Sequence, residues 1–356
     1  MKEIDDHFLK AIEDKVFPAA SLIVFRGEEI LYKNVYGTFS YDNCKKVDEG
    51  CLYDLASLTK PLVTSMLIAY LFQCNELRYE DEIGFFFREY KSVDKLGITV
   101  REMLCHRSGL PAHREYFKKI PQEKWGTQIA RDEILGYALN EGITERGITL
   151  YSDIDFIILG YLIEVISTAS LRDLYFEVFI KGLSLDNSDF CGNIRFKKED
   201  RMLPVSDGFI GVDDENSRAM GGVAGHSGLF SNSAEIYLIL NEIYKSYNDL
   251  DYRILKPQTM KELLRKSNDF LPGMFIGGFD TPLETGSQYG DYFTGETVAH
   301  LGFTGTSFVM DMNSGFGIIL LTNRVCPDRN NFRIREFRRS IHNKLSKIFL
   351  KGKTDI

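Results

Sequence analysis

Ser57 and Lys60, a serine three positions ahead of a lysine, form the pair in this sequence best suited to nucleophilic chemistry. A serine hydroxyl is a weak nucleophile until a base sits beside it. At the start of a helix, a spacing of three puts both residues on one face, about one turn apart. The Lys60 amine can then reach the Ser57 oxygen. A helix N-terminus also offers free backbone N–H groups and partial positive charge where an oxyanion would form. An apolar wall would lower the Lys60 pKa and make a neutral amine base available. Pro61 suits a first helical turn, and residues 62–73 are apolar enough for a buried helix. The tetrapeptide alone fits equally well an N-cap serine with a solvent-facing lysine. The same spacing recurs at Ser92 and Lys95 in a polar stretch with no apolar helix behind it, where no site is expected.

Two further segments carry suitable groups. Tyr151-Ser152-Asp153 stands just ahead of an apolar helical pattern over 153–167. A phenol there can project into a cleft, and near Lys60 it would lose its proton more easily and act as a base; the alternative is a tyrosine packed at a lobe boundary. His300-Leu301-Gly302 leads into Phe303 and a strand. Gly302 would let a substrate backbone approach the strand edge. The N–H of Phe303 could join that of Ser57 as an oxyanion hole; the alternative is an ordinary strand start. There is no GxSxG elbow, phosphate-binding GxxxxGK[ST], GxGxxG or HExxH. The six histidines show no tight metal-ligand spacing, so neither a metal nor a cofactor is expected.

The elements that must position these groups follow from periodicity. Helical spacing covers residues 4–15, 100–104 (with Thr99 as cap), 236–243, 260–264 and 332–349. Residues 19–25 and 30–36 read as strands joined at Arg26-Gly27-Glu28, and 306–312 and 316–322 as strands joined at Asn313-Ser314-Gly315. Strands at both ends with helices between them predict an α+β fold: a central antiparallel sheet flanked by helices, with an inserted mostly helical lobe. The expected division is residues 1–58 with 232–356 as the α/β lobe and 59–231 as the helical lobe. The 356 residues suffice for this, and 44% hydrophobic against 26% charged content is that of a globular chain. A net charge of −8 argues against a nucleic-acid partner. No run reaches the roughly 18 apolar residues of a membrane span. The N-terminus lacks a signal-peptide pattern, so a cytoplasmic location is expected. The six scattered cysteines read as reduced, mostly buried thiols.

Ser-x-x-Lys, a Tyr-Ser-Asn-like triplet and His-x-Gly, in that order, resemble the serine β-lactamase and DD-peptidase superfamily. The likeness is greatest to the branch with class C β-lactamases, soluble DD-peptidases and related carboxylesterases. Residues 99–111, 221–231 and 321–324 extend the resemblance over about 5–345. It implies a β-lactamase/transpeptidase-like fold, with Ser57 as the acylated nucleophile, Lys60 as its proton partner and Tyr151 relaying the proton to the leaving group. Asp153 stands where many relatives carry Asn. A carboxylate cannot donate a hydrogen bond unless protonated, but it can pair with Lys60 and tune it. His300 stands where β-lactamases carry Lys, and is only partly charged at neutral pH. With Leu301 and Phe303, it implies a more apolar wall and a less acidic substrate.

The expected function is a metal-free serine hydrolase forming an acyl-enzyme at Ser57. Small esters rank first as substrate; a muropeptide amide or DD-peptidase/β-lactamase-type amide ranks second. A non-catalytic penicillin-binding or sensor protein is the reading from another class. Oligomeric state is left open. His226, in a Gly-rich loop, is a candidate cleft residue or part of a turn into a helix capped by Ser231 or Ser233. His106 and His113 are expected to be structural. Asp213-Asp214-Glu215 is expected to be a solvated loop, and Arg333, Arg335, Arg338 and Arg339 a solvated helix face. Trp125 either lines the cleft or anchors the inserted lobe.

Overall fold

The computed structural model describes residues 1–87, 97–192, 198–293 and 295–350. The second Ser-x-x-Lys match, at Ser92 and Lys95, lies outside the described residues. Five antiparallel strands form the main sheet in the order β2-β1-β8-β7-β6. The strands are β1 Ala19–Arg26, β2 Glu29–Gly37, β6 Thr297–Leu301, β7 Ser307–Asp311 and β8 Phe316–Thr322. Register Leu22↔Leu320 joins the N-terminal hairpin to the C-terminal strands.

The central strands β1 and β8 are apolar on both faces because both faces are covered. Leu22, Val24, Ile318 and Leu320 pack under α1 (Lys2–Glu13) and the C-terminal helix Ile334–Leu350. The alternate residues Ile23, Phe25, Ile319 and Leu321 meet the other core, which includes Ile236 and Leu240 of the helix Ser233–Tyr247. This is the period-2 alternation of a strand used on both sides. Each such fully buried side chain contributes about 1.5–3 kcal/mol. β2 and β6 are the edges, and Asp280 bridges β6 at Ala299.

The helices between the two strand sets are α2 (Met66–Gln73), α3 (Val100–Leu104), α4 (Gln128–Leu139) and α5 (Asp153–Ser167). α5 is buried along Ile154–Ile163, and the Ser152 hydroxyl caps it by accepting from the Asp155 N–H. Thr99 and Glu102 form a capping box on α3. Three more helices are α6 (Glu215–Ala219), α7 (Ser233–Tyr247) and α8 (Pro257–Leu263, with Pro at its start), and the C-terminal helix is α9 (Ile334–Leu350). A small sheet, β3 (Tyr53–Asp54), β5 (Leu229–Ser231) and β4 (Asp189–Phe190), sits ahead of the Ser57 turn.

Several details differ from the sequence reading. α7 is capped by Asn232, not by Ser231 or Ser233, because the Asn232 side-chain oxygen Oδ1 accepts from the Glu235 N–H. Arg338 on α9 is buried, donating to the Gly302 and Thr306 carbonyls. Cys44 and Cys74 are exposed and Cys105 is half-buried, so burial describes only Cys51, Cys191 and Cys326. Trp125 anchors its segment: its indole N–H donates to the Ile120 carbonyl and its ring packs on Phe117. No single helix among the described residues is long and apolar enough to cross a membrane.

Candidate active site

Ser57 lies in a 3₁₀ turn, Ala56–Leu58, that runs into a π-helical turn, Lys60–Ser65, and then α2. Ala56 is held at φ +47°, a conformation that costs a non-glycine residue about 1–3 kcal/mol. The buried Asp54 carboxylate fixes it, accepting from the Ala56 N–H at 2.9 Å and the Asp213 N–H at 2.7 Å. Burial pushes the Asp54 pKa up to about 7.

Lys60 is fully buried. Its three N–H donors go to Ser57 Oγ at 3.0 Å, Asp153 Oδ1 at 2.7 Å and the His226 carbonyl at 3.2 Å. The last contact depends on glycines. A Cβ on Gly225 would sit 2.1 Å from the Phe156 carbonyl of α5, and one on Gly160 would sit 2.9 Å from Gly225 N. The loop carrying His226 therefore packs backbone against backbone. Burial by itself favours the neutral amine, but Asp153 and then Tyr151 outweigh it, and the Lys60 pKa is raised. This corrects the expected depression: the resting group is an ammonium. Asp153 is its counterpart, pushed up by burial but brought well below the usual carboxylate range by Lys60 and by the His113 hydrogen bond.

Tyr151 packs with its ring 4.9 Å from Lys60 Nζ, and its buried hydroxyl has no hydrogen-bond partner. Burial raises its pKa and the Lys60 charge only partly offsets this. The expected easy loss of its proton is thus corrected: Tyr151 rests as a phenol. His300 sits within β6 rather than at a strand start. Its Nδ1 meets the Leu301 carbonyl at 2.9 Å, and burial, followed by the Lys60 charge, pushes its pKa down to about 3. It is neutral rather than partly charged.

Gly302 is required by internal packing. A Cβ there would lie 2.0 Å from Thr306 Oγ1 and 2.8 Å from the Leu55 carbonyl. The Thr304 and Thr306 hydroxyls donate to the Asp54 and Leu55 carbonyls at 2.7 and 3.1 Å, which staples the β6–β7 turn to the Ser57 turn. Phe303, in that turn, is 44% exposed. Its N–H is not used in the turn's own bonds, which run from Gly302 N–H to the Thr306 carbonyl and from Gly305 N–H to the Gly302 carbonyl.

Ser57, Tyr151, Asp153, His226, His300, Gly302 and Phe303 line one cavity of about 580 Å³. Lys60 sits behind this lining, reaching it through Ser57 and Asp153. Sequence reasoning missed other members. His113, taken as structural, lines the cleft half-exposed, with Nδ1 3.1 Å from Asp153 Oδ2; that hydrogen bond, against burial, raises its pKa. Asp213 is buried, and Asp214 bonds His226 Nε2 at 2.9 Å, so this stretch is no solvated loop. Burial raises the Asp214 carboxyl, but the His226 charge and hydrogen bond bring it below its ordinary value. Arg329 pairs with Asp213 and Glu215.

Arg324, Arg335 and Arg338 line the opposite side, and none pairs with a carboxylate among the described residues. Burial lowers both Arg324 and Arg338 to about 10, and Arg335 repels each. Arg324 lies over the Phe303 ring at 4.4 Å and Arg335 over Phe332 at 4.8 Å. Arg333, just ahead of α9, and Arg335, Arg338 and Arg339 within it thus do not form one solvated face. The available signal was the i, i+3 spacing of Arg335 and Arg338, but nothing local marks which side of a helix turns to a cleft.

Residues 4–343 match the Beta-lactamase family model, and the chain belongs to that family of serine hydrolases. It is 24% identical over 361 residues to an Escherichia coli K12 protein named "Putative D-alanyl-D-alanine carboxypeptidase", covering 90% of this chain and 81% of that one. It is 26% identical over 350 residues to the N-acetylmuramyl-L-alanine amidase of Bacillus subtilis 168, covering 86% and 77%. Its fold is that of the class C β-lactamase from Rhodobacter sphaeroides, with a TM-score of 0.74 at 14% identity over 98% of this chain and 100% of that one.

Proposed function

We propose that the chain hydrolyses acyl compounds through an acyl-enzyme at Ser57. Peptide-like amides bearing a free carboxylate are the first substrate class, and small esters the second. The observation that carries the reading is Ser57 Oγ held at 3.0 Å by the buried Lys60 at the floor of the cleft. In this reading, residues 59–231 bring Lys60, Tyr151 and Asp153, while residues 1–58 and 232–356 bring the nucleophile and the wall of His300, Gly302 and Phe303.

Lys60, kept an ammonium by Asp153 2.7 Å away, donates to Ser57 Oγ and stabilises its developing negative charge. Ser57 Oγ bonds to the acyl carbon while the Ser57 and Phe303 N–H groups receive the oxyanion. Tyr151 gives its proton to the leaving group as it takes the one released by Ser57. The Ser57 proton thus ends on the leaving group. His226 positions Lys60 through its carbonyl.

The substrate ranking departs from the sequence reading because Arg324, Arg335 and Arg338 restore to this wall the positive charge that His300 lacks. The carboxypeptidase and amidase names of the relatives support the same order. The apolar faces of Leu301 and Phe303 support ester cleavage as the second reading.

The test is hydrolysis of p-nitrophenyl butyrate and of a peptide ending in D-Ala-D-Ala, by wild type and Ser57→Ala. Both activities should vanish in the variant, and the wild type should prefer the free peptide acid over its C-terminal amide. Near-full activity in Ser57→Ala overturns the assignment.

A further inference from the structure

Three imidazoles line the Ser57 cleft, and the acceptor met by one nitrogen of each decides what the other nitrogen can do. A carbonyl or carboxylate acceptor requires the bonded nitrogen to carry its hydrogen, which leaves the second nitrogen with the lone pair of the neutral ring. His300 donates from Nδ1 to the Leu301 carbonyl, but with its pKa near 3 its Nε2 is a weak base. His226 donates from Nε2 to Asp214, and its Nδ1 is sealed inside the protein without a partner. His113 donates from Nδ1 to Asp153 Oδ2 at 3.1 Å, and its ring stays 45% exposed, leaving Nε2 open to water. Lys60 has spent all three N–H donors, and Tyr151 is a phenol. As an ammonium and a phenol, neither rests in a form that takes a proton from water.

Resting on the acyl-enzyme reading above, we propose that His113, backed by Asp153, is the general base for the water that hydrolyses the acyl-Ser57 bond. Water gives one proton to His113 Nε2 as its oxygen bonds to the acyl carbon. When the tetrahedral intermediate collapses, the carbon–Oγ bond breaks and the proton held on His113 Nε2 passes through a water to Ser57 Oγ, which leaves His113 with its Nδ1 hydrogen, Asp153 as the carboxylate and Lys60 as the ammonium.

The charges facing His113 are Asp153 from the start of α5, with Lys60 on its far side, Asp214 from the loop before α6, and Glu115 and Arg114 from its own loop. Carboxylates dominate, and its pKa lies above the ordinary 6.5. The neutral base form therefore grows in as pH rises past that raised value, and deacylation should rise with it.

The experiment is rapid mixing of wild type and His113→Gln with p-nitrophenyl butyrate across pH, with the acyl adduct on Ser57 followed by intact mass after acid quench. His113 is half-exposed, so Gln should fold there. The first turnover should keep its rate, later turnovers should slow by roughly a hundredfold with the adduct persisting, and the acid limb should disappear. Adduct clearance at the wild-type rate overturns the proposal. So does an equal slowing of first and later turnovers, which would mark a structural role. Absence of any adduct in the wild type would instead overturn the acyl-enzyme reading itself.

Discussion

The two sides of the cleft handle charge in opposite ways. On the side of α5 and the Gly-rich loop, ionic groups of the cleft pair with one another: Lys60 with Asp153, Asp153 with His113, Asp214 with His226. On the side of β6 and α9, Arg324, Arg335 and Arg338 contact carbonyls and aromatic rings, and Asp280 meets only the Tyr289 hydroxyl and a backbone N–H. Charges already cancelled within the protein are suited to moving protons at constant net charge. Charges left uncompensated are suited to a ligand that supplies what is missing. In the proposed function, the paired side carries the proton transfers and the other side meets the substrate carboxylate.

Three measurements would break or sharpen this contrast. The largest effect is expected from Lys60→Met, which removes the cation common to Ser57 and Asp153. Turnover of both ester and peptide should fall at least a hundredfold, about 3 kcal/mol of barrier. A loss of less than tenfold would mean that the paired side is architectural. Next comes Arg335→Ala on the exposed part of the other side. KM for a carboxylate-bearing peptide should rise about tenfold, roughly 1.4 kcal/mol, with p-nitrophenyl butyrate kinetics unchanged. An equal effect on both substrates would deny this side its recognition role.

The smallest effect concerns stability. Burial raises Asp280 to about 7, so between its unfolded value of 3.8 and that point the folded state holds a proton the unfolded chain has released. Its contribution is complete below 3.8 and is lost as pH rises to 7. In Asp280→Asn, the fall in urea stability from pH 4 to 7 should be shallower by on the order of 1 kcal/mol. Asp54 retains a slope of the same sign. Identical slopes in the two proteins would show that Asp280 is compensated after all.

Much of the fold was legible because strand and helix periods are local. The runs over 19–25, 30–36 and 316–322 have the apolar character of buried or paired strands, and each falls within the observed β1, β2 and β8. Ser57 and Lys60 were legible for the same reason, since one helical turn fixes their spacing. The protonation states were not. Lys60 takes its charge from Asp153, 93 residues away in sequence, and an apolar neighbourhood alone suggests the opposite shift. His113 read as structural because its hydrogen bond to Asp153, 40 residues further on, has no local signature. Arg338 resembled its exposed neighbours because only the packing of α9 against the β6–β7 turn turns it inward.

The hydroxyls of Thr304 and Thr306 work as a fixed gauge between two distant stretches of chain. They hold the Ser57 turn and the Phe303 turn together, whereas Tyr151 and Asp153 arrive from elsewhere. Widening the cleft to admit a bulky acyl group would therefore cost proton-transfer geometry before it cost the fit to the developing negative oxygen. Substrate size should register in proton-transfer rates first.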